Sequence, residues 1–143
     1  MTEPVILVVE DNAIDEELTL LALRKVHVPN GVVVARDGAE ALDYLFATGV
    51  HTGRGEQLPK VVFLDLNLPK LSGVHVLNRI RSDPRMRLLP IVILTSSSED
   101  RDLAASYNGG ANSYIVKPIN SAQYAESIKQ LGLYWLTLNE PPR

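Results

Sequence analysis

Residues 60–67 read Lys60-Val61-Val62-Phe63-Leu64-Asp65-Leu66-Asn67. The apolar residues Val61 to Leu64 follow one another without alternation. Their run is too short for a helix and rich in β-branched and aromatic types, which predicts a strand buried on both faces. That strand, Lys60 to Leu64, runs straight into a carboxylate, Asp65. Outward from it the pattern returns on both sides. Val5-Ile6-Leu7-Val8-Val9 predicts a first strand ending in Glu10-Asp11, and Val32 to Ala35 a second ending at Arg36. Leu88 to Leu94 predicts a fourth ending at Thr95, and Ser113 to Val116 a fifth followed by Lys117-Pro118.

Between these runs the period changes to that of a helix. Ile14 to Val26 carries Leu18, Leu21, Ala22 and Val26 on one face. Pro29-Asn30-Gly31 breaks the chain, and Asp37-Gly38 opens a second helix with Ala41, Leu42, Leu45 and Phe46 as its stripe. The third, Gly73 to Arg81, turns Val74, Leu77 and Ile80 inward and stops before Asp83-Pro84. The fourth begins at Ser98-Glu99-Asp100 with Ser98 as its cap and closes at Gly109-Gly110; the fifth is capped by Ser121 and runs to about Leu138. Residues 47–59, with Gly49, Gly53 and Gly55, have no periodicity and predict a mobile surface loop. Five strands strictly alternating with five helices imply one parallel α/β sheet, covered by helices on both faces and joined by right-handed crossovers. The expected organisation is a single domain over 1–143, with a core from about 5 to 138 and a frayed tail from 139.

Composition narrows the function. A chain of 143 residues without cysteine is the size of one domain, holds no disulfide or thiolate metal site, and fits a reducing, cytoplasmic compartment. The N-terminus lacks a basic segment ahead of its short apolar run, and no stretch approaches the roughly 18 apolar residues of a membrane span. A net charge of −3 gives no general attraction to nucleic acid. No output domain is expected after the fifth helix, so effects would travel through protein contacts. Arg79, Arg81, Arg85 and Arg87 form a local basic run, read as a solvated helix end rather than a docking patch for an acidic partner. His27, His51 and His75 show no metal-ligand spacing. Asp15, Glu16 and Glu17 read as the acidic first turn of a helix, not as a second site.

In an open α/β sheet, ligands sit at the carboxyl ends of the strands. Those ends carry Glu10 and Asp11, Asp65, Thr95 and Lys117. Three clustered carboxylates repel one another unless a cation joins them. Mg²⁺ suits hard oxygen ligands and keeps waters or phosphate oxygens in its shell. A lysine and a threonine hydroxyl supply further donors for phosphoryl oxygens. The set fits transient phosphorylation of an aspartate, with Asp65 as nucleophile.

Together, Glu10-Asp11, Asp65, Thr95 and Lys117-Pro118 resemble the signature of the response-regulator receiver domain of two-component signalling. Pro69, Gly73 and Tyr114 add to the likeness, which spans Val5 to about Leu136. The resemblance implies the flavodoxin-like (βα)5 fold with strand order 2-1-3-4-5. It implies that Asp65 accepts a phosphoryl group from a sensor histidine kinase. Glu10, Asp11, Asp65 and the Asn67 backbone carbonyl would organise Mg²⁺, Thr95 and Tyr114 would form a conformational switch, and the Lys117–Pro118 bond would be cis. Asn67 and Ser97 would border the site. The glycine-rich segment before the third strand and the late Trp135 also resemble the stand-alone regulators paired with bacterial phytochromes. Leu133, Tyr134, Trp135, Leu136 and Leu138 exceed what one helix face buries, which suggests a homodimer through the C-terminal helix. Two other readings stay open. One is a phosphate-independent interaction module (a pseudo-receiver). The other is a haloacid-dehalogenase-like phosphatase, which Asp65-Leu66-Asn67 disfavours because the second Asp of Asp-x-Asp is missing.

Overall fold

The computed structural model describes residues 5–26, 31–54 and 57–142. His27, Pro29-Asn30, Gly55 and Arg143 lie outside the described residues. Strands β1 (Ile6–Val9), β2 (Val32–Ala35), β3 (Val61–Leu64), β4 (Ile91–Thr95) and β5 (Ser113–Val116) alternate with helices α1 (Ala13–Arg24), α2 (Gly38–Phe46), α3 (Gly73–Arg81), α4 (Asp100–Asn108) and α5 (Ser121–Leu133). Every pairing is parallel and the order is β2-β1-β3-β4-β5, the order expected from the sequence.

The central strands are buried on both faces, and their residues divide alternately between two cores. Leu7, Val9, Val62, Leu64, Ile91 and Ile93 pack with Ala41, Leu45, Leu77 and Ile80 from α2 and α3. Ile6, Val8, Val61, Phe63, Val92 and Leu94 pack with Ala22, Leu23, Tyr124 and Ile128 from α1 and α5. This two-sided burial explains the uninterrupted apolar runs. A π-helical turn, Tyr134–Leu138, continues α5. It lays Trp135 in the second core, and Lys60 Nζ donates to Leu136 O at 2.9 Å.

Several local expectations are corrected. β4 starts at Ile91 rather than Leu88, because Pro90 cannot donate to a ladder and Asn112 Oδ1 accepts the Ile91 N–H at 2.7 Å. Of the expected first-helix stripe, Leu18, Ala22 and Val26 pack in the second core, and Thr19 and Leu23 are buried as well, whereas Leu21 is 45% exposed. The cap of α5 is Asn120, whose side chain accepts the Gln123 N–H, not Ser121. Glu99, not Ser98, precedes α4 and makes no side-chain cap bond. Where adjacent Ser, Asn and acidic residues compete for a cap, backbone placement decides among them. The segment after α2 is not featureless: a 3₁₀ turn forms at Gly49–His51, and Arg54 donates to the carbonyls of Tyr44 and Leu45 with its guanidinium 4.3 Å from the Tyr44 ring centre. The Lys117–Pro118 peptide is trans, not cis, as no described bond is cis. Trans is the intrinsically favoured isomer of an X–Pro bond by about 0.5–1 kcal/mol.

One glycine holds the site's foundation in place. A Cβ at Gly73 would lie 2.3 Å from the Asp65 carbonyl oxygen and 2.6 Å from Leu66 Cα, both backbone atoms. Helix α3 therefore starts flush against the end of β3, and the Gly73 N–H donates to Leu66 O at 2.9 Å. Gly73→Ala is expected to destabilise the fold by about 1–3 kcal/mol, the range for overpacking a closed contact. Urea unfolding checks this, and a wild-type midpoint would contradict the close approach.

Candidate phosphoacceptor and metal site

The backbone ladder runs one residue past the strands and sets the site's floor. Val9 lies beside Ala35 and Leu64 in register. The Glu10 N–H then donates to Ala35 O at 2.9 Å, the Asp65 N–H to Val9 O at 3.1 Å, and the Lys117 N–H to Thr95 O at 2.7 Å. Glu10 and Asp65 thus leave neighbouring strands at one level. They are 3% and 6% exposed.

The side chains converge on the ammonium of Lys117, itself 8% exposed. Its Nζ donates to Glu10 Oε1 at 2.6 Å, Asp65 Oδ2 at 2.8 Å and Asp15 Oδ2 at 2.9 Å. Glu10 Oε2 accepts the Asn12 N–H at 3.2 Å, and Asp65 Oδ1 accepts the Asn67 N–H at 3.1 Å. Burial pulls the Lys117 amine down, but hydrogen bonds to Asp65, Glu10 and Asp15 outweigh it and raise its pKa. For Glu10 burial wins: its carboxyl is raised to about 7, the Lys117 bond and charge offsetting only part, with Asp65 adding repulsion.

Glu10, Asp11 and Asp65 each present a carboxylate oxygen, all within 4.8 Å of one another, with Asp11 exposed at the rim. Counting Asp15, four carboxylates share this edge with the Lys117 ammonium. The excess negative charge and the hard oxygen donors fit a divalent cation. Asn67 follows the same strand end, its backbone adjoining the Asp65 carboxylate.

Thr95, fully buried at the end of β4, accepts the Ser97 N–H at 3.4 Å. Tyr114, half-buried on β5, donates its hydroxyl to Ser97 O at 2.9 Å, and the Ser97 hydroxyl donates to Asp102 Oδ2 at 2.5 Å. Ser97 is therefore the node between Thr95 and Tyr114. Burial raises the Tyr114 pKa, so the ring hydroxyl stays a donor.

Among the described residues, the remaining polar ones singled out in the sequence fall away from this edge, with one exception. His51 packs edge-on against Tyr44 at 5.2 Å, and His75 lies exposed on α3. The basic run is dispersed: Arg81 is spent on the carbonyls of Gly110, Met86 and Arg87, Arg85 pairs with Asp83, and Arg79 lies over Phe46. The exception is Asp15, which sits in the acidic first turn of α1 as expected but also partners Lys117. Asn12 was the available signal, since as N-cap it accepts the Asp15 N–H and places that residue in the first turn beside the strand ends.

A pH dependence follows from Glu10. Its carboxyl is raised in the folded protein, so its contribution to stability is full below about 4.5 and is lost as pH rises through about 7. Metal-free protein in chelator is expected to lose a few kcal/mol of stability between those values. Glu10→Gln should flatten the slope; an unchanged slope in calorimetric melting would contradict it.

The response regulator receiver domain model matches residues 6–129, and the chain belongs to that family. Among curated relatives, the probable methanogenesis regulatory protein FilR2 of Methanothrix harundinacea is 38% identical over 96% of this chain and 87% of its own length. Response regulator Rcp1 of Synechocystis is 33% identical over 92% and 88%. Among solved structures, the phosphorylated cyanobacterial phytochrome response regulator RcpA superposes with a TM-score of 0.92 at 37% identity, covering 99% of this chain and 100% of its own. The Mn²⁺-bound form of Rcp1 gives 0.91 at 31% over 99% and 100%. The bacteriophytochrome response regulator AtBRR gives 0.76 at 48% over 98% and 100%. Receiver domains bind a divalent metal and act with a sensor kinase in two-component signalling. No described helix is long and apolar enough to cross a membrane.

Proposed function

We propose that Asp65 accepts a phosphoryl group from the phosphohistidine of a sensor kinase, in a reaction that requires Mg²⁺. The carrying observation is that Asp65 is buried at a strand end, beside two further carboxylates, with its Oδ2 held by a buried ammonium at 2.8 Å. An Asp65 oxygen forms the new bond to phosphorus while the bond from phosphorus to the donor nitrogen breaks, the electron pair returning to the imidazole. Lys117 offers an N–H to the phosphoryl oxygens, and the Thr95 hydroxyl offers another donor. Glu10, Asp11, Asp65 and the Asn67 carbonyl would hold the Mg²⁺, which supplies charge neutralisation when bound.

The response is read out through Thr95, Ser97 and Tyr114. A shift of Thr95 toward the phosphoryl group disturbs the Ser97 N–H bond, and Ser97 O carries the Tyr114 hydroxyl. Helix α4 is lightly anchored, since Ser106 is its one fully buried residue and the Ser106 hydroxyl has no partner among the described residues. Such an element responds to small biases.

The likeness to RcpA and AtBRR favours a phytochrome kinase as the donor. The chain would act as one cytoplasmic receiver unit through protein contacts rather than on DNA, in keeping with its net charge of −3. Leu133, Tyr134 and Leu138 are exposed beyond Trp135, as are Tyr107 on α4 and Val116 on β5, and support a homodimer through the C-terminal region. A monomeric mass in light scattering, with and without phosphoryl analogue, would contradict that dimer. The function itself is tested by intact mass after incubation with acetyl phosphate. A Mg²⁺-dependent phosphoryl adduct is expected; no adduct would favour a phosphate-independent interaction module.

A further inference from the structure

An ammonium has three N–H donors and no acceptor. At Lys117 all three reach carboxylates: Glu10, Asp65 and Asp15. In the proposed chemistry Asp65 takes the phosphoryl group and Glu10 faces the metal. Asp15 does neither. It is outside the group of three carboxylate oxygens that could share an ion, and it stands in the first turn of α1 instead of at a strand end. Its backbone is placed by the helix cap, because its N–H donates to Asn12 Oδ1 at 2.9 Å. It is also the more exposed end of the pair, 27% against 8% for Lys117.

A phosphoryl group on Asp65 brings new anionic oxygens that need the same ammonium. Asp15 opposes them twice, by occupying one N–H of Lys117 and by adding a negative charge at the edge of an acidic site. The same charge favours a bound cation. We infer that Asp15 is a positioning residue that competes with the phosphoryl group for Lys117, lowering the site's affinity for phosphoryl while raising its affinity for Mg²⁺. This role rests on the reading of Asp65 as phosphoacceptor.

The test uses wild type, Asp15→Asn and Asp15→Ala. The Asn variant keeps an acceptor of nearly the same shape and loses the charge; the Ala variant loses both. Each protein is titrated with Mg²⁺ in a calorimeter, then with beryllofluoride at saturating Mg²⁺. Both variants are expected to bind beryllofluoride roughly threefold to tenfold more tightly and Mg²⁺ more weakly by a similar factor, the scale of one partly exposed charge at close range. A role confined to seating α1 would lower both affinities together with the melting temperature, and that result overturns the inference. Should Asp15→Ala unfold, the Asn variant alone decides: unchanged or weaker beryllofluoride binding overturns it. Wild type that ignores beryllofluoride would remove the reading of Asp65 and this role with it. Binding by wild type without a gain in the variants removes only the role of Asp15.

Discussion

Asp65→Asn will take up no phosphoryl group from acetyl phosphate or from a kinase, and it will stay folded. The carboxylate is the nucleophile, and a neutral amide forms no comparable acyl phosphate. Loss of function does not require loss of structure here. The amide has the same volume and keeps an oxygen for Lys117, whose ammonium also retains Glu10 and Asp15. One of four crowded negative charges disappears, which relieves repulsion rather than creating it. Metal-free stability should hold or rise, while Mg²⁺ binding weakens because a buried ligand charge is gone. A variant as phosphorylated as wild type would move the acceptor elsewhere. One that is unreactive because it is unfolded would say nothing of chemistry, so urea unfolding accompanies the labelling.

Lys117→Met will have a second, opposite profile. Methionine fills similar space without charge, and it leaves Glu10 and Asp65 buried with no counter-charge. Breaking a buried pair on one side costs about 3–5 kcal/mol. The loss is expected mainly in metal-free protein, since Mg²⁺ supplies the missing positive charge; the variant should bind Mg²⁺ more tightly and recover much of its stability. Phosphorylation should still fall by about 10²–10³-fold, because the donor aimed at the phosphoryl oxygens is absent. Urea unfolding in chelator and in Mg²⁺, with the rate of adduct formation, separates these effects. An equal stability loss in both buffers would show that Lys117 does not balance the carboxylates.

The centre of the sheet was legible because strands buried on both faces leave unbroken apolar runs, and those at residues 6–9, 61–64 and 91–94 stand clear of the helical periods; the edge strands β2 and β5 are only partly buried and showed themselves by their β-branched content. The candidate site was legible for a related reason: a parallel sheet brings the residues after each strand to one edge, so Glu10, Asp11, Asp65, Thr95 and Lys117 stand out as candidates by position. Asp15 did not, because a helix residue reaches the edge only if the first turn is set at the right residue, and that depends on the Asn12 cap. The caps of α4 and α5 were misplaced where Ser97, Ser98, Glu99, Asn120 and Ser121 all offer suitable chemistry. Ser97 escaped notice as the link between Thr95 and Tyr114 because it acts there through its backbone, which any residue shares.

The most direct measurement is to locate the phosphoryl group. Borohydride reduces an acyl phosphate to the alcohol, which marks the modified side chain permanently. Protein treated with acetyl phosphate and Mg²⁺, reduced and sequenced by tandem mass spectrometry should carry homoserine at position 65, and none should form without Mg²⁺. Reduction at position 11 or 15 instead, or at no aspartate, would contradict the assignment of Asp65 as the phosphoacceptor.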